Sequence, residues 1–365
     1  MGFDLSSFKA FFNADIGKSS AKTGVLGIDI GSSAIKIVQL KEEKGVPTLE
    51  TYGELQLGPY EGVDLGRNTH LSPSKSIQAL IDILRESGAT GSNAAFAFAY
   101  NASFIAVISV PTLDQEKIES MVAIEAKKYI PISLTRVSID WFPLNAHEDE
   151  GRTDVLVTAI YNEILDRYKS VMQGSGLTPV ASEIEIFSSI RSVLSPKDEI
   201  VVILDCGAAS TRMYIVRKGI VSKTHSVPLS GVELTEVLQK SEGIEFKDAE
   251  ELKRSVGIHG TEENPALQKA LVAGLERGLR EIHTVISRYE EAEGVKADKV
   301  VLSGGGALLK GLSTYVADMY SRQVVLADPF SKVAYPAFLE DTLRVAGPSF
   351  AVAVGIALRA YKKDY

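Results

Sequence analysis

Two rhythms of apolar residues run along the chain. Near-continuous or every-second apolar positions mark strands, and recurrences at three and four residues mark helices. Residues 25–40 read as two strands interrupted by Gly31-Ser32-Ser33. Residues 48–57 add a third, with Gly45 and Pro47 as turn residues before it. Ser72-Pro73 opens a helix whose buried face is Ile77, Leu80, Ile81 and Leu84. Residues 94–110 read as one strand-like stretch, and a helix follows from Asp114 to the stop at Pro131. Residues 137–144 and 155–161 read as strands around the charged loop HEDEGR. Helices are expected over 162–173 and 183–194, with Ser195-Pro196 as a break.

The second part begins with 200–204, a uniform apolar run expected of a strand buried on both faces. A long helix is expected from Asn264-Pro265 to Glu293. The last segments are a strand at 299–302, a helix after Gly306, a strand at 323–326 and a helix near 349–361.

The pattern contains a repeat. IDIGSSAIKIV (28–38) and LDCGAASTRMYIV (204–216) share one design: an apolar strand, an aspartate, a glycine two residues on, small residues, then another apolar strand. The two aspartates are 176 residues apart, about half of the 365-residue chain. A duplicated α/β domain follows from that spacing.

Composition narrows the function classes. The net charge of −8 argues against a nucleic-acid binder, which usually presents a basic face. The single cysteine, Cys206, allows no disulfide within the chain, which fits a reducing compartment. The first residues lack the basic-then-apolar order of a signal peptide. Phe3, Leu5, Phe8, Phe11 and Phe12 make one short apolar face on a terminal tail. The apolar run 345–360 is shorter than the roughly 20 residues needed to span a bilayer, so no transmembrane helix is expected.

Three glycine turns carry the candidate chemistry. At the first hairpin, Gly31 lets a ligand approach the backbone, and the Ser32 and Ser33 N–H groups form an anion cradle. Lys36 adds a positive charge, and Asp29 fits a site where Mg²⁺ lies between carboxylate and phosphate. The second hairpin offers Asp205, Gly207, Ser210 and Thr211. Either hairpin alone is equally a tight turn with a solvated aspartate; the pair is not. The third turn is Ser303-Gly304-Gly305-Gly306, glycine-rich backbone between a strand and a helix. It is neither GxGxxG nor a P-loop, which disfavours a Rossmann dehydrogenase or a P-loop ATPase. Glu250 and Lys253 share a helix face and are candidates for a ribose, or form only a solvated ion pair. The five histidines are scattered without metal-ligand spacing.

In this order the elements resemble the superfamily of actin, heat-shock chaperones and sugar kinases. The resemblance implies an α/β, actin-like ATPase fold with two duplicated halves around a nucleotide cleft, binding ATP and Mg²⁺. Within it, VLGIDIGSSAIKIVQL, ELKRSVGI, EAKKYIPI and SIDWFPL resemble the FtsA/PilM branch of pilus-assembly and division proteins. FtsA-type chains end in a linker and a basic amphipathic helix; YKKDY follows the last helix here, so the pilus side of the branch is expected.

The resemblance implies a tail at 1–23, a first core subdomain at 24–91 and 162–196, and an inserted α+β subdomain at 92–161. It further implies a second core subdomain at 197–228 and 296–365, and a helical lid at 229–295. Hinge helices are expected in ASEIEIFSSIRSVL and GPSFAVAVGIALRAY. The implied role is a cytoplasmic adaptor at the inner membrane. Its implied partner is the N-terminal cytoplasmic segment of a PilN-like bitopic protein, held beside the insertion, where the helix 116–129 is a candidate wall. Other platform proteins and self-association are implied as well. Glu183, Glu185 or Asp205 would position water if ATP is hydrolysed. A filament-forming division ATPase and a sugar kinase are the alternatives on the same fold.

Overall fold

The computed structural model describes residues 24–130, 133–259 and 265–361. The phenylalanine-rich tail, Pro131, Asn264 and 362–365 lie outside them.

The first sheet holds β1 (Val25–Ile30), β2 (Ala34–Glu43), β3 (Val46–Gln56), β4 (Asn93–Phe98) and β8 (Thr178–Ile184), in the order β3-β2-β1-β4-β8. β1 to β3 form an antiparallel meander, and β4 and β8 add in parallel. The second sheet holds β9 (Ile200–Cys206), β10 (Thr211–Arg217), β11 (Ile220–Val227), β12 (Lys299–Ser303) and β13 (Val324–Leu326), in the order β11-β10-β9-β12-β13. The two orders match strand for strand, which is the duplication expected from the repeat. A third, antiparallel sheet of β5 (Ser103–Val110), β6 (Val137–His147) and β7 (Arg152–Tyr161) runs in the order β5-β7-β6.

Besides a single helical turn at Gly58–Glu61 and short 3-10 turns, the described residues hold ten helices: α1 (Pro73–Glu86), α2 (Gln115–Glu125), α3 (Asn162–Gly174), α4 (Glu185–Val193), α5 (Gly231–Glu242), α6 (Phe246–Val256), α7 (Pro265–Glu293), α8 (Leu312–Tyr320), α9 (Glu340–Ala346) and α10 (Ala351–Arg359). Ser72 caps α1 as expected, its hydroxyl accepting from Lys75 N–H, with Pro73 in the first turn. Helices α5, α6 and α7 pack together over the second sheet. Their core joins Leu234, Leu238 and Leu275 to Val202 and Leu204 of β9.

Three boundaries differ from the sequence reading. The stretch 94–110 is two strands in two sheets, split at Tyr100–Ala102. β4 pairs with β1, so 93–98 belongs with the first sheet rather than the insertion. Apolar periodicity could not separate them, because both strands are equally apolar. Residues 178–184 are a strand, so Glu183 lies within β8 and only Glu185 begins α4. Finally α10, assigned to the second half, packs on β1, β4 and α4 of the first.

α10 is apolar all round and buried along Ala351–Leu358, as a helix enclosed on every side should be. The run Ala337–Arg359 is long and apolar enough to cross a membrane by composition, yet most of it is buried inside the protein. Two glycines make this close packing possible. A Cβ at Gly355 would fall 1.9 Å from the Ser188 carbonyl oxygen of α4, and one at Gly27 would fall 2.1 Å from the Ala353 carbonyl oxygen. Ser192 also donates to the Ala351 carbonyl at 2.7 Å. α4 and α10, which cover the two expected hinge helices, therefore cross backbone to backbone.

Candidate nucleotide cleft

A cavity of about 730 Å³ lies between the halves. Its floor is made by the two hairpins, and both are built alike. In the first, Gly31 N–H donates to the Ala34 carbonyl at 3.0 Å; in the second, Gly207 N–H donates to Ser210 at 3.0 Å. Two carbonyls of each bend are already engaged within the protein. Ser32 and Ser33 accept from Thr69 N–H and Leu57 N–H, both at 2.8 Å. Gly207 and Ala208 accept from Gly231 N–H and Val232 N–H at the start of α5. Bends whose oxygens are satisfied within the protein leave their remaining N–H groups for a ligand, the condition for an anion cradle.

The glycine loop after β12 closes one side. Gly304 has φ +82, a left-handed conformation that favours glycine, and a Cβ there would meet Cys206 O at 2.6 Å and Asp205 Oδ1 at 2.7 Å. A Cβ at Gly306 would meet Cys206 at 2.9 Å. Cys206 is thus a buried packing residue beneath the loop, and burial pushes its thiol up to about 12. Gly305 differs: nothing lies within 4 Å of its missing Cβ. The loop offers bare backbone to the cavity there, which suits a flat or phosphorylated ligand.

Of the expected site residues, Asp29, Gly31, Ser32, Ser33, Lys36, Glu185, Asp205, Gly207, Ser210, Glu250, Lys253, Ser303 and Gly304–Gly306 line this one cavity. Two stand elsewhere. Thr211 is buried with its hydroxyl donating to the Leu229 carbonyl at 2.7 Å. Glu183 faces the helix crossing, where it is bonded by Arg191, by Arg359 at 2.7 Å and by Ser188 at 2.6 Å. Burial works against the Glu183 charge, but Arg191 and Arg359 outweigh it and hold its pKa down at about 2. It is a structural counter-ion with no view of the cleft, so it does not position water there. In a strand that ends at a helix start, residues two apart need not share a face.

Glu250 and Lys253 are bonded to each other at 2.6 Å. Lys253 also donates to the Gly231 carbonyl at 2.8 Å and Thr235 at 2.7 Å, and Arg254 donates to Glu250 at 2.6 Å. Their polar atoms are therefore shared between the cavity and the α5–α6 contact. Across the cleft mouth, Arg67 of the first half lies 3.8 Å over the Phe246 ring of α6.

Sequence reasoning missed Arg212. It pairs with Asp205 across β9 and β10 as Lys36 pairs with Asp29 across β1 and β2, seven residues on in both hairpins. The repeat carried that signal: the position of Lys36, transferred to the second copy, falls on Arg212. Its guanidinium bonds Glu185 and lies 3.6 Å from Asp205.

The floor thus gathers Asp29, Asp205 and Glu185 around two cations, Lys36 and Arg212. Burial pushes Asp29 up to about 6, against the pull of Lys36 and with Asp205 adding to the rise. Burial pushes Glu185 up to about 7 despite Arg212, again with Asp205 adding. Carboxylates that crowd in this way favour a divalent cation. Among the described residues no three potential ligands form a ready-made metal cage. The donor set suits Mg²⁺, which binds through one or two carboxylates, waters and phosphate oxygens.

The family model for the type IV pilus assembly protein PilM matches residues 27–361. The chain belongs to the PilM family. A solved PilM-PilN type IV pilus biogenesis complex is similar at 26% identity, covering 93% of this chain and 99% of that one with a TM-score of 0.78. Two further structures share the fold: the ethanolamine utilization protein EutJ from Carboxydothermus hydrogenoformans and MreB5 of Spiroplasma citri bound to ADP. EutJ is 18% identical over 91% of this chain and 88% of its own, with a TM-score of 0.52. MreB5 is 13% identical over 92% and 95%, also with a TM-score of 0.52. The fold of this PilM-family chain is therefore actin-like, and its place is in type IV pilus assembly.

Proposed function

We propose that this PilM-family protein is an ATP-binding adaptor of the pilus assembly platform. One observation carries the nucleotide reading: three glycine turns, far apart in sequence, converge on one cavity of about 730 Å³. The hairpin N–H groups, Lys36 and the Gly305 backbone would hold ATP, and Asp29 and Asp205 would reach Mg²⁺ through water. The ADP-bound relative supports the reading at the level of fold. Asp205 and Glu185 are the groups able to position water, and turnover would be at most slow. ATP that binds a closed form more tightly than an open one would bias partner binding by shifting that equilibrium.

The partner would be the cytoplasmic N-terminal segment of a PilN-like bitopic protein, which would hold this chain on the cytoplasmic side of the inner membrane. The PilM-PilN complex supports that reading. So do the apolar side chains that the inserted subdomain leaves exposed, Leu113, Ile124 at 60% and Tyr129 at 49%. They lie on and beside α2, whose other side buries Ile118, Val122 and Ala126. A short extended peptide docking on such a surface is a common recognition mode. A filament-forming division ATPase draws less support, because the family match is to pilus assembly.

Calorimetry with Asp29→Ala and Gly305→Val tests the cleft. Both variants are expected to lose MgATP affinity at least tenfold, and parent-like binding in both overturns the assignment. Ile124→Asp with Tyr129→Ala tests the partner surface by titration with a synthetic PilN-type peptide; unchanged binding moves the groove elsewhere.

A further inference from the structure

We propose that Arg212 is the residue by which this cleft distinguishes a nucleoside triphosphate from a diphosphate, its guanidinium leaving Glu185 for the third phosphate. The inference rests on the nucleotide reading above and adds a specificity device to it.

The argument begins with the two-fold design of the floor. Each hairpin supplies one cation opposite its aspartate, two residues below the bend that would hold phosphate oxygens. Lys36 faces Asp29 and Glu54 within its own sheet. Arg212 instead reaches across the cleft. Its carboxylate partners are Asp205 of its own hairpin and Glu185, the first residue of α4 in the other half.

One guanidinium between two carboxylates, with Asp29 near enough to feel both Asp205 and Arg212, holds a contact that a stronger anion can replace. The Arg212 and Glu185 side chains are 15% and 12% exposed, and both border the cavity. A terminal phosphate carries more charge than a carboxylate and offers two oxygens to the planar fork of arginine. A diphosphate ends one group earlier and leaves the Arg212–Glu185 pair in place.

The exchange has a receiver on the protein side. Tyr214, two residues along β10, brings a buried hydroxyl within electrostatic reach of Glu185 and Arg212. That hydroxyl makes no hydrogen bond of good geometry among the described residues, and the group that interacts with it is the Arg212 guanidinium itself. When the guanidinium turns to phosphate, the phenol can donate to the carboxylate left behind.

The test is calorimetry of the full chain with ATP and with ADP, each in excess Mg²⁺, on the parent, Arg212→Gln and Glu185→Gln. Arg212→Gln is expected to weaken ATP at least tenfold and ADP by no more than about threefold, the loss expected of one charge-assisted contact. Glu185→Gln is expected to act in the opposite direction, tightening ATP about threefold while leaving ADP unchanged, because Arg212 is freed beforehand. Equal changes for both nucleotides in either variant, or no change, overturn the inference while the nucleotide cleft stands. A parent that binds neither nucleotide overturns both. Urea denaturation midpoints confirm that each variant is folded. Should Arg212→Gln fail that check, the sign of the Glu185→Gln effect decides alone.

Discussion

Glu183 and Glu185 stand two residues apart, one buried and one mostly so, both bonded to arginine, and their fates are opposite. Glu183 has two arginines and a serine to itself, at the crossing of α4 and α10. Glu185 shares one arginine with Asp205 and accepts a backbone N–H from Tyr100 at 2.6 Å. The first is held at about 2 and the second driven up to about 7. Burial is common to both and opposes charge in both. The number of cations per carboxylate decides the outcome. At the crossing the charges are closed off and serve the fold; on the floor they are under-compensated and open to a ligand.

The comparison breaks most sharply on removal of each carboxylate. Glu183→Ala removes the buried carboxylate that Arg191 and Arg359 share and is expected to cost about 3–5 kcal/mol by chemical denaturation. Glu185→Gln leaves Arg212 with Asp205 and is expected to stay within about 1 kcal/mol at pH 5, where a raised Glu185 is protonated. Equal losses would erase the distinction.

The pH dependence sharpens it next. The depressed Glu183 contributes stability that is complete above its ordinary 4.5 and lost as pH falls from there toward 2. The raised Glu185 contributes stability that is complete below 4.5 and lost as pH rises through about 7. Each limb is worth roughly 3 kcal/mol at most. Urea midpoints between pH 2.5 and 8 should therefore peak near 4.5, and Glu185→Gln should make the upper limb shallower, leaving the share of the raised Asp29, while the lower limb is unchanged. An unchanged upper limb in that variant would assign it to other groups.

Gly355→Ala is expected to cost about 2–3 kcal/mol, because its methyl would meet the Ser188 carbonyl rather than a movable side chain. Affinity measured on the folded fraction should change little if the crossing and the floor are separate devices. The smallest effect belongs to the other bridge over the floor. The Tyr100 hydroxyl lies 2.8 Å from Thr224 Oγ1, and Thr224→Val should cost about 1 kcal/mol by the same denaturation assay.

Much of this was legible in the sequence wherever glycine, aspartate and proline punctuate apolar runs. The two hairpins, the capped start of α1 and the triple-glycine turn all stand where their residues place them. What local pattern could not supply was partnership over distance. Nothing in NAAFAF says that it pairs with VLGIDI rather than with the strand that follows it. Nothing in AVAVGIALR says that its glycine meets a serine carbonyl 167 residues earlier. Glu183 and Glu185 looked interchangeable because the point where strand becomes helix, and where their faces part, was set two residues too early. Arg212 was legible in principle, since its position repeats that of Lys36.

The Gly355–Ser188 contact has one more consequence. Two helices that touch with no room for a methyl group can roll on each other but cannot part. If they act as an axle between the halves, the halves would become lever arms, with the Arg212–Glu185 pair joining the two arms and the three-stranded insertion carried on the first. A small turn at the axle, too small to change any contact there, would be read as a larger swing where the insertion meets its surroundings.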